Sequence, residues 1–144
     1  MEIIPITGVV LAAITFIYQF YLKPKEKFSH LKIQFRATQR LSLRVQEELR
    51  QCIDMYDTRN QFLMPGITYQ DYLSLMEKSY DENLSDKLLE KISSLKLSES
   101  NIDSMTKSLE IQFEALSQID VQLHTILNSN LTQMNAPNYT DDER

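Results

Sequence analysis

Cysteine and histidine are scarce in this sequence, which has one of the former and two of the latter. Cys52 cannot form an intramolecular disulfide, and its neighbours on the same helical face are apolar, so we expect a buried thiol rather than a reactive one. Neither His30 nor His124 has a cysteine or a second histidine at the spacing of zinc ligands. The common zinc motifs are therefore excluded, and nothing in the sequence requires an oxidising compartment.

Residues that interrupt helices are also rare. Only two glycines and four prolines occur in 144 residues, whereas leucine, lysine, glutamate, glutamine, serine and methionine are frequent between them. Such a composition favours helix nearly throughout the chain. We therefore predict an all-α protein.

Catalytic motifs are absent as well. The sequence has no His-Glu-x-x-His, no glycine-rich phosphate loop and no Gly-x-Ser-x-Gly. Neither histidine follows an arginine at the spacing used by helical HEPN-type ribonucleases. Asp120 and His124 lie four residues apart on a predicted helix, but such a pair is typical of a surface ion pair or a polar contact within a bundle. We expect no enzymatic activity, no cofactor and no metal site.

The net charge of −5 hides an uneven distribution. Residues 23–50 contain eight lysines and arginines against three glutamates, whereas residues 51–144 contain seven against sixteen acidic residues. Residues 23–50 are therefore net basic, and residues 51–144 are net acidic.

The first 22 residues contain a long uncharged run, residues 3–22. Twenty helical residues extend about 30 Å, which matches the hydrocarbon thickness of a bilayer. Tyr18, Phe20 and Tyr21 lie near the end of the run, as in an interfacial aromatic belt. A cleaved signal peptide opens with basic residues and ends on small ones, so we predict a retained transmembrane helix instead.

Lysines follow this segment, and neither lysine nor arginine precedes it. Because positive residues collect on the cytoplasmic side, we predict a single-pass protein with its N-terminus outside and its helical domain in the cytoplasm. In a bacterium the lipid bilayer concerned is the cell inner membrane. The sequence does not identify the organism, and an organelle membrane is the alternative.

Small and polar residues share one side of the predicted transmembrane helix. Gly8, Ala12, Thr15 and Gln19 recur three or four positions apart. Small residues let transmembrane helices approach closely, and a polar side chain in lipid favours a neighbour that shares its hydrogen bonds. This transmembrane stripe predicts self-association, and in an oligomer Gln19 can line a narrow pore. The alternative is a lone anchor whose Gln19 reaches the interface.

Residues 23–131 are predicted to form a cytosolic helical bundle. Apolar residues at helical spacing indicate a long amphipathic helix, which a Pro-Gly turn separates from two short helices. Thr68 and Asp71 resemble a capping box at the start of the first short helix. Residues 132–144 are predicted to be a disordered tail. The expected bounds of the three helices are 28–59, 68–80 and 84–97.

The last predicted helix has the most regular pattern, with apolar intervals that alternate between three and four residues as far as about residue 131. Gln112 and Asn130 are polar positions in this seam, while Phe113 and Leu127 widen the apolar surface beside it. We expect one helix of a bundle rather than an independent coiled coil, although a bundle formed between copies fits both descriptions. The candidate packing or oligomer residues of the seam are Ile102, Met105, Leu109, Leu116, Ile119, Leu123 and Ile126.

Basic residues define a second candidate surface along the first soluble helix. The residues of this basic stripe are Lys23, Lys25, Lys27, Lys32, Arg36, Arg40 and Arg44, of which the last four recur every fourth position. Such a stripe can bind phosphate in lipid headgroups, nucleic acid or a nucleotide. The alternatives are a solvated face, or contact with the acidic remainder of the domain, a neighbouring subunit or another protein.

These patterns predict two functions. The first is a membrane-anchored helical interaction and assembly protein that self-associates through its transmembrane and long cytosolic helices into a homo-oligomer. The alternative is an oligomeric membrane-perturbing effector or small pore whose cytosolic domain controls its opening. In general layout the chain resembles the small single-span effectors of bacterial anti-phage systems, including CRISPR-associated ones.

Overall fold

The structure, a computed structural model, describes residues 12, 14–15 and 23–134, with side chains up to residue 129. Helix accounts for most of the described chain, so the prediction of an all-α fold built as a helical bundle is confirmed. The elements are α1 (Lys23–Tyr56), β1 (Phe62–Met64), β2 (Ile67–Thr68), α2 (Tyr69–Asn83), α3 (Asp86–Ser94) and α4 (Glu99–Met134).

Helix α1 runs for 34 residues without interruption. It ends where Asp57 adopts a φ of 50°, in the left-handed region that does not continue a right-handed helix. The buried Thr58 hydroxyl then donates a hydrogen bond of 3.1 Å to the carbonyl of Cys52 in the last turn. This local geometry stops α1 three residues before its predicted end. Cys52 itself is fully buried, as predicted.

A short hairpin follows α1, which the all-helical prediction did not include. Its strands β1 and β2 pair antiparallel, with Phe62 opposite Thr68 and Met64 opposite Ile67. Gly66 lies in the connecting turn with a φ of 81°, a conformation that glycine adopts without steric penalty. Strands of three and two residues are too short to produce a recognisable alternation of apolar and polar residues, so only the turn was predictable.

Side-chain caps determine where the later helices begin. The Thr68 hydroxyl accepts a hydrogen bond of 3.1 Å from the Asp71 backbone N–H, as the capping pattern predicts. Ser85 and Ser98 accept equivalent bonds of 3.2 Å at the starts of α3 and α4. Each cap satisfies a backbone donor that has no partner within its helix.

The two long helices run in the same direction. Lys27 pairs with Asp103 near the start of both helices, and Arg44 pairs with Asp120 farther along, and the partners are 76 positions apart in each case. Because the pair that lies farther along α1 also lies farther along α4, the two helices are parallel. The hairpin, α2 and α3 therefore return the chain from the end of α1 to its start, and all of these helices pack on α1.

Two apolar clusters with a polar layer between them form the core. At this layer α1 presents Thr38, Gln39 and Ser42, none more than 4% exposed. The cluster near the start of α1 contains Leu31, Phe35, Leu84, Leu89, Ile92, Ile102 and Leu109. The cluster near its end contains Leu41, Val45, Leu49, Cys52, Ile53, Tyr69, Leu73, Met76, Leu116 and Leu123.

The seam of α4 contributes to both clusters. Its alternate members Ile102, Leu109, Leu116 and Leu123 are buried, whereas Met105, Ile119 and Ile126 are half-buried. The buried members pack within the same chain, mainly against α1, so they are not available to a second copy. Phe113 and Leu127, which lie beside the seam, pack against the cluster near the end of α1.

The predicted transmembrane segment falls largely outside the described residues. Of its members, Ala12, Ile14 and Thr15 are described, and all are helical and exposed. In the described part of the chain, no helix is both long enough and apolar enough to cross a bilayer. At the other end α4 continues to Met134, three residues into the predicted tail, and the rest of the tail lies outside the described residues.

Leu123→Ala is expected to lower the free energy of unfolding by about 2–5 kcal/mol, because it removes a fully buried side chain and leaves a cavity at the α1–α4 contact. Val121→Ala, two positions earlier and 64% exposed, is the matched control and is expected to change it by less than about 0.5 kcal/mol. Urea unfolding followed by circular dichroism measures both. Equal effects would contradict the placement of the seam.

Candidate functional site

The basic stripe begins in contact with the start of α4. The Lys27 ammonium lies 2.7 Å from a Glu99 carboxylate oxygen and 2.9 Å from one of Asp103, and Lys23 lies 3.7 Å from Glu99. The hydrogen bond from Lys27 lowers the pKa of Glu99, and the two acidic partners raise the pKa of Lys27. These two lysines therefore join the N-terminal ends of the two long helices.

Arg36 contacts the junction between α2 and α3. Its guanidinium forms an ion pair with Asp86, and the Gln39 amide donates both to the Leu84 carbonyl and, over 3.1 Å, to the same carboxylate. The pKa of Asp86 is lowered by the hydrogen bond from Gln39 and by the pairing with Arg36. This contact fixes the return segment on α1 at the level of the polar layer.

The outward-facing part of the stripe has a different character. Lys25, Lys32 and Arg40 are exposed and form no ion pair within the described residues. The Lys32 ammonium lies 5.8 Å from the centre of the Phe28 ring, within cation–π range. A shallow surface depression surrounds Ile33, which is 68% exposed. Its lining residues are Lys32, Ile33, Arg36, Ala37 and Arg40.

Arg44 lies at the centre of an ionic cluster between α1 and α4. Its guanidinium donates hydrogen bonds of 3.1 and 2.6 Å to the two oxygens of Asp120. Glu48, one turn farther along α1, places a carboxylate oxygen 3.1 Å from Nδ1 of His124, one turn beyond Asp120 on α4. Burial raises the pKa of Glu48, and the neighbouring Asp120 raises it further, while His124 and Arg44 act in the opposite direction.

The ionic cluster changes the sequence-based view of Asp120 and His124. These two residues do share a helical face, but Glu48 joins them from the other long helix, and one ligand atom from each of the three residues lies within 4.8 Å of the others. Among the residues that the structure describes, no other group of three acidic, histidine or cysteine side chains meets this geometry. The sequence prediction missed Glu48; the available signal was an acidic residue beside Leu49 on the border of the apolar face.

A partly open cavity of about 180 Å³ lies in the cluster near the start of α1. Its apolar walls come from α1, α3 and α4, and its polar residues are Asn83, Ser108 and Gln112. Since no charged side chain lines it, the cavity suits a small apolar group rather than an anion. The lining apolar residues are Leu31, Phe35, Leu88, Ile92, Met105 and Leu109.

The transmembrane stripe is only partly described. Ala12 and Thr15 are helical and exposed, whereas Gly8 and Gln19 lie outside the described residues. The predicted association surface therefore rests on the sequence pattern.

Comparison with protein-family models, with curated proteins and with solved structures finds no match to this chain.

Arg44→Glu is expected to lower the free energy of unfolding by about 1–3 kcal/mol, because Asp120 loses its hydrogen-bonded guanidinium and a third carboxylate joins the ionic cluster. Arg40→Glu, one turn earlier at a residue that forms no ion pair in the described part of the chain, is expected to change it by less than about 0.5 kcal/mol. Urea unfolding compares the two. A loss of stability in Arg40→Glu as large as in Arg44→Glu would contradict the division of the stripe into paired and outward-facing residues.

Asp86→Asn is expected to remove acid-sensitive stability. Because the pKa of folded Asp86 is lowered, its ionised form stabilises the fold above the pKa of the unfolded chain, about 3.9, and this stability is lost as the pH falls through the lower folded value. The parent should therefore exceed the variant in stability near neutral pH, and the difference should vanish on acidification. Thermal unfolding across pH measures it, with Asp54→Asn as control, since Asp54 is exposed and forms no ion pair with another described residue. A difference independent of pH would argue against the ion pair.

Proposed function

We propose that this chain is a membrane-anchored helical interaction module that self-associates in the membrane and presents its bundle to the cytoplasm. The observation that carries the proposal is the position of α1. This helix starts at Lys23, directly after the uncharged residues 3–22, and the other helices all pack on it. An anchor at residues 3–22 therefore acts on the one element that organises the whole bundle.

The charges at the start of α1 support the proposed orientation. Lys23, Lys25 and Lys27 follow the uncharged segment, in the position where positive residues favour the cytoplasmic side. Lys23 and Lys27 also pair with Glu99 at the start of α4. The same lysines thus orient the anchor and hold the second long helix beside the membrane, while Lys25 remains exposed toward anionic headgroups.

Self-association and partner binding are assigned to two separate surfaces. The seam of α4 is occupied within the chain, so self-association is assigned to the transmembrane stripe, Gly8, Ala12, Thr15 and Gln19. The outward part of the basic stripe, with Lys32 and Arg40 around the exposed Ile33, is then the contact surface for an acidic protein partner or another anionic ligand. The protein acts by assembly, and no catalytic step is part of the proposal.

Replacing Gly8 and Ala12 together by leucine is expected to convert the oligomer to monomer, because the added side chains keep the backbones of neighbouring transmembrane helices apart. Val10→Leu with Ile14→Leu alters the same segment away from the stripe and serves as the matched control. Mass measurement of the detergent-solubilised full chain distinguishes the species. The parent and the control should exceed monomer mass; a monomeric parent, or an unchanged oligomer in the Gly8/Ala12 variant, would contradict self-association through this stripe.

Two further measurements test the membrane part of the proposal. The full chain should remain with the membrane fraction after washing at high salt, because an embedded helix does not depend on surface charge. Release by salt would refute the anchor. Expression of the full chain should change neither dye entry into cells nor their membrane potential. If expression caused dye entry and the Gly8/Ala12 variant abolished it, the oligomer would instead belong to the pore-forming class.

A further inference from the structure

Glu48 is an unusual residue in this bundle because its charge is enclosed without adequate compensation. Its side chain is 90% buried between α1 and α4, since only 10% of it is exposed. One carboxylate oxygen faces Nδ1 of His124 at 3.1 Å, and the other, Oε2, is buried with no hydrogen-bond partner. A buried carboxylate oxygen without a partner is costly, and native structures normally supply it with a donor or a cation.

The surroundings of Glu48 contain a second carboxylate but little positive charge. Asp120, 14% exposed, lies beside it as a second carboxylate, and Arg44 supplies one guanidinium, which is directed at Asp120. The carboxylates of Glu48 and Asp120 and the guanidinium of Arg44 give the ionic cluster two formal negative charges and one positive charge.

The ligand atoms of three side chains converge between α1 and α4. Asp120 and His124 occupy successive turns of α4, and Glu48 approaches from α1, so that one ligand atom of each lies within 4.8 Å of the others. In a tetrahedral site with metal–ligand bonds of about 2.1 Å, neighbouring ligand atoms lie about 3.4 Å apart. The three ligand atoms, all within 4.8 Å of one another, are therefore at most about 1.4 Å farther apart than in such a site.

We propose that Glu48, Asp120 and His124 bind a divalent first-row transition-metal ion, with Zn²⁺ as the reference ion, at the contact between α1 and α4. Each carboxylate supplies one oxygen, and His124 supplies Nδ1. The exposed side of His124, which is 57% exposed, leaves the remaining position of the ion open to water. The imidazole ligand disfavours Mg²⁺ and Ca²⁺, which take oxygen ligands.

Arg44 is compatible with this site. A carboxylate has about four lone-pair positions, and the two hydrogen bonds from Arg44 occupy two of those on Asp120. The guanidinium therefore orients Asp120 as an outer partner while an oxygen remains able to bind the ion. The formal charge of the ionic cluster changes from −1 to +1 when a divalent ion binds.

The bound ion would cross-link the two parallel helices at the end of the bundle farther from the ion pairs of Lys27. An ion that binds the folded chain and not the unfolded one shifts the folding equilibrium toward the folded state. Metal binding is therefore read out by thermal stability as well as by binding itself, without any assay of function.

The test uses the full chain in detergent, stripped of metal with EDTA, and titrates it with Zn²⁺ alone. Isothermal titration calorimetry should give one ion per chain, and thermal unfolding should shift upward as the ion is added. Glu48→Gln and His124→Ala should each weaken binding by at least about tenfold and abolish most of the shift. His30→Ala is the matched control, since the other histidine has no such ligand group and its loss should leave binding unchanged.

Stability without metal separates ligation from a structural role. Glu48→Gln keeps the size of the side chain and removes the enclosed charge, so the metal-free variant should be at least as stable as the metal-free parent while failing to bind. Co²⁺ gives an independent signal, because its visible absorption reports nitrogen and oxygen ligation and should disappear in both variants. No binding to the parent would overturn the proposal, as would equal binding by the parent, Glu48→Gln and His124→Ala.

Discussion

The parallel packing of α1 on α4 is the constraint on which the rest of the structure depends. Two parallel helices cannot be joined by a tight turn, because the chain must first return along the full length of the first helix. A helix of 34 residues extends about 51 Å, and the hairpin, α2 and α3 between them cover this distance in the opposite direction. The short elements are therefore the connection that the long pair requires, and their apolar faces complete the core.

Charge sets the register of this pair as much as apolar packing does. A seam with regular intervals of three and four residues packs almost equally well after a shift of one heptad, so apolar contacts alone discriminate weakly between registers. Lys27 with Asp103 and Arg44 with Asp120 coincide in one register only. The acidic character of the second half of the chain thus complements the basic stripe of α1, and most of the stripe is used within the molecule.

Because most of the basic stripe is paired within the molecule, the range of ligands that the stripe can bind is limited. A basic stripe that is paired along most of its length is a poor surface for nucleic acid, whose phosphates would compete with fixed carboxylates. The outward residues Lys32 and Arg40 are what remains for a partner. In the proposed arrangement, an anchor ahead of Lys23 would connect the membrane directly to α1, the helix on which the bundle is built. The ionic cluster at Glu48 adds a point at which a small cation strengthens the same helix pair.

The sequence by itself determined the helical class, the order of the helices, the cap at Thr68 and the burial of Cys52, because each follows from contacts within a few residues of the chain. It also predicted the seam of α4, since apolar periodicity reports which face is buried. It did not show the hairpin, whose strands are too short to carry a pattern. The direction of α4 relative to α1, and therefore which cations are paired, was decided only by the tertiary structure.

The same distinction applies to the candidate site. Asp120 and His124 were visible as neighbours because four residues make one helical turn, but their partner Glu48 is 72 positions before Asp120 in the chain. No local spacing links them, and only the packing of two helices brings the three side chains together. The chain alone therefore showed Asp120 and His124 as neighbours, although it predicted no metal site there, and it showed the uncharged segment before Lys23. The fold decided which groups meet, because long-range contacts depend on the direction and register of the helices.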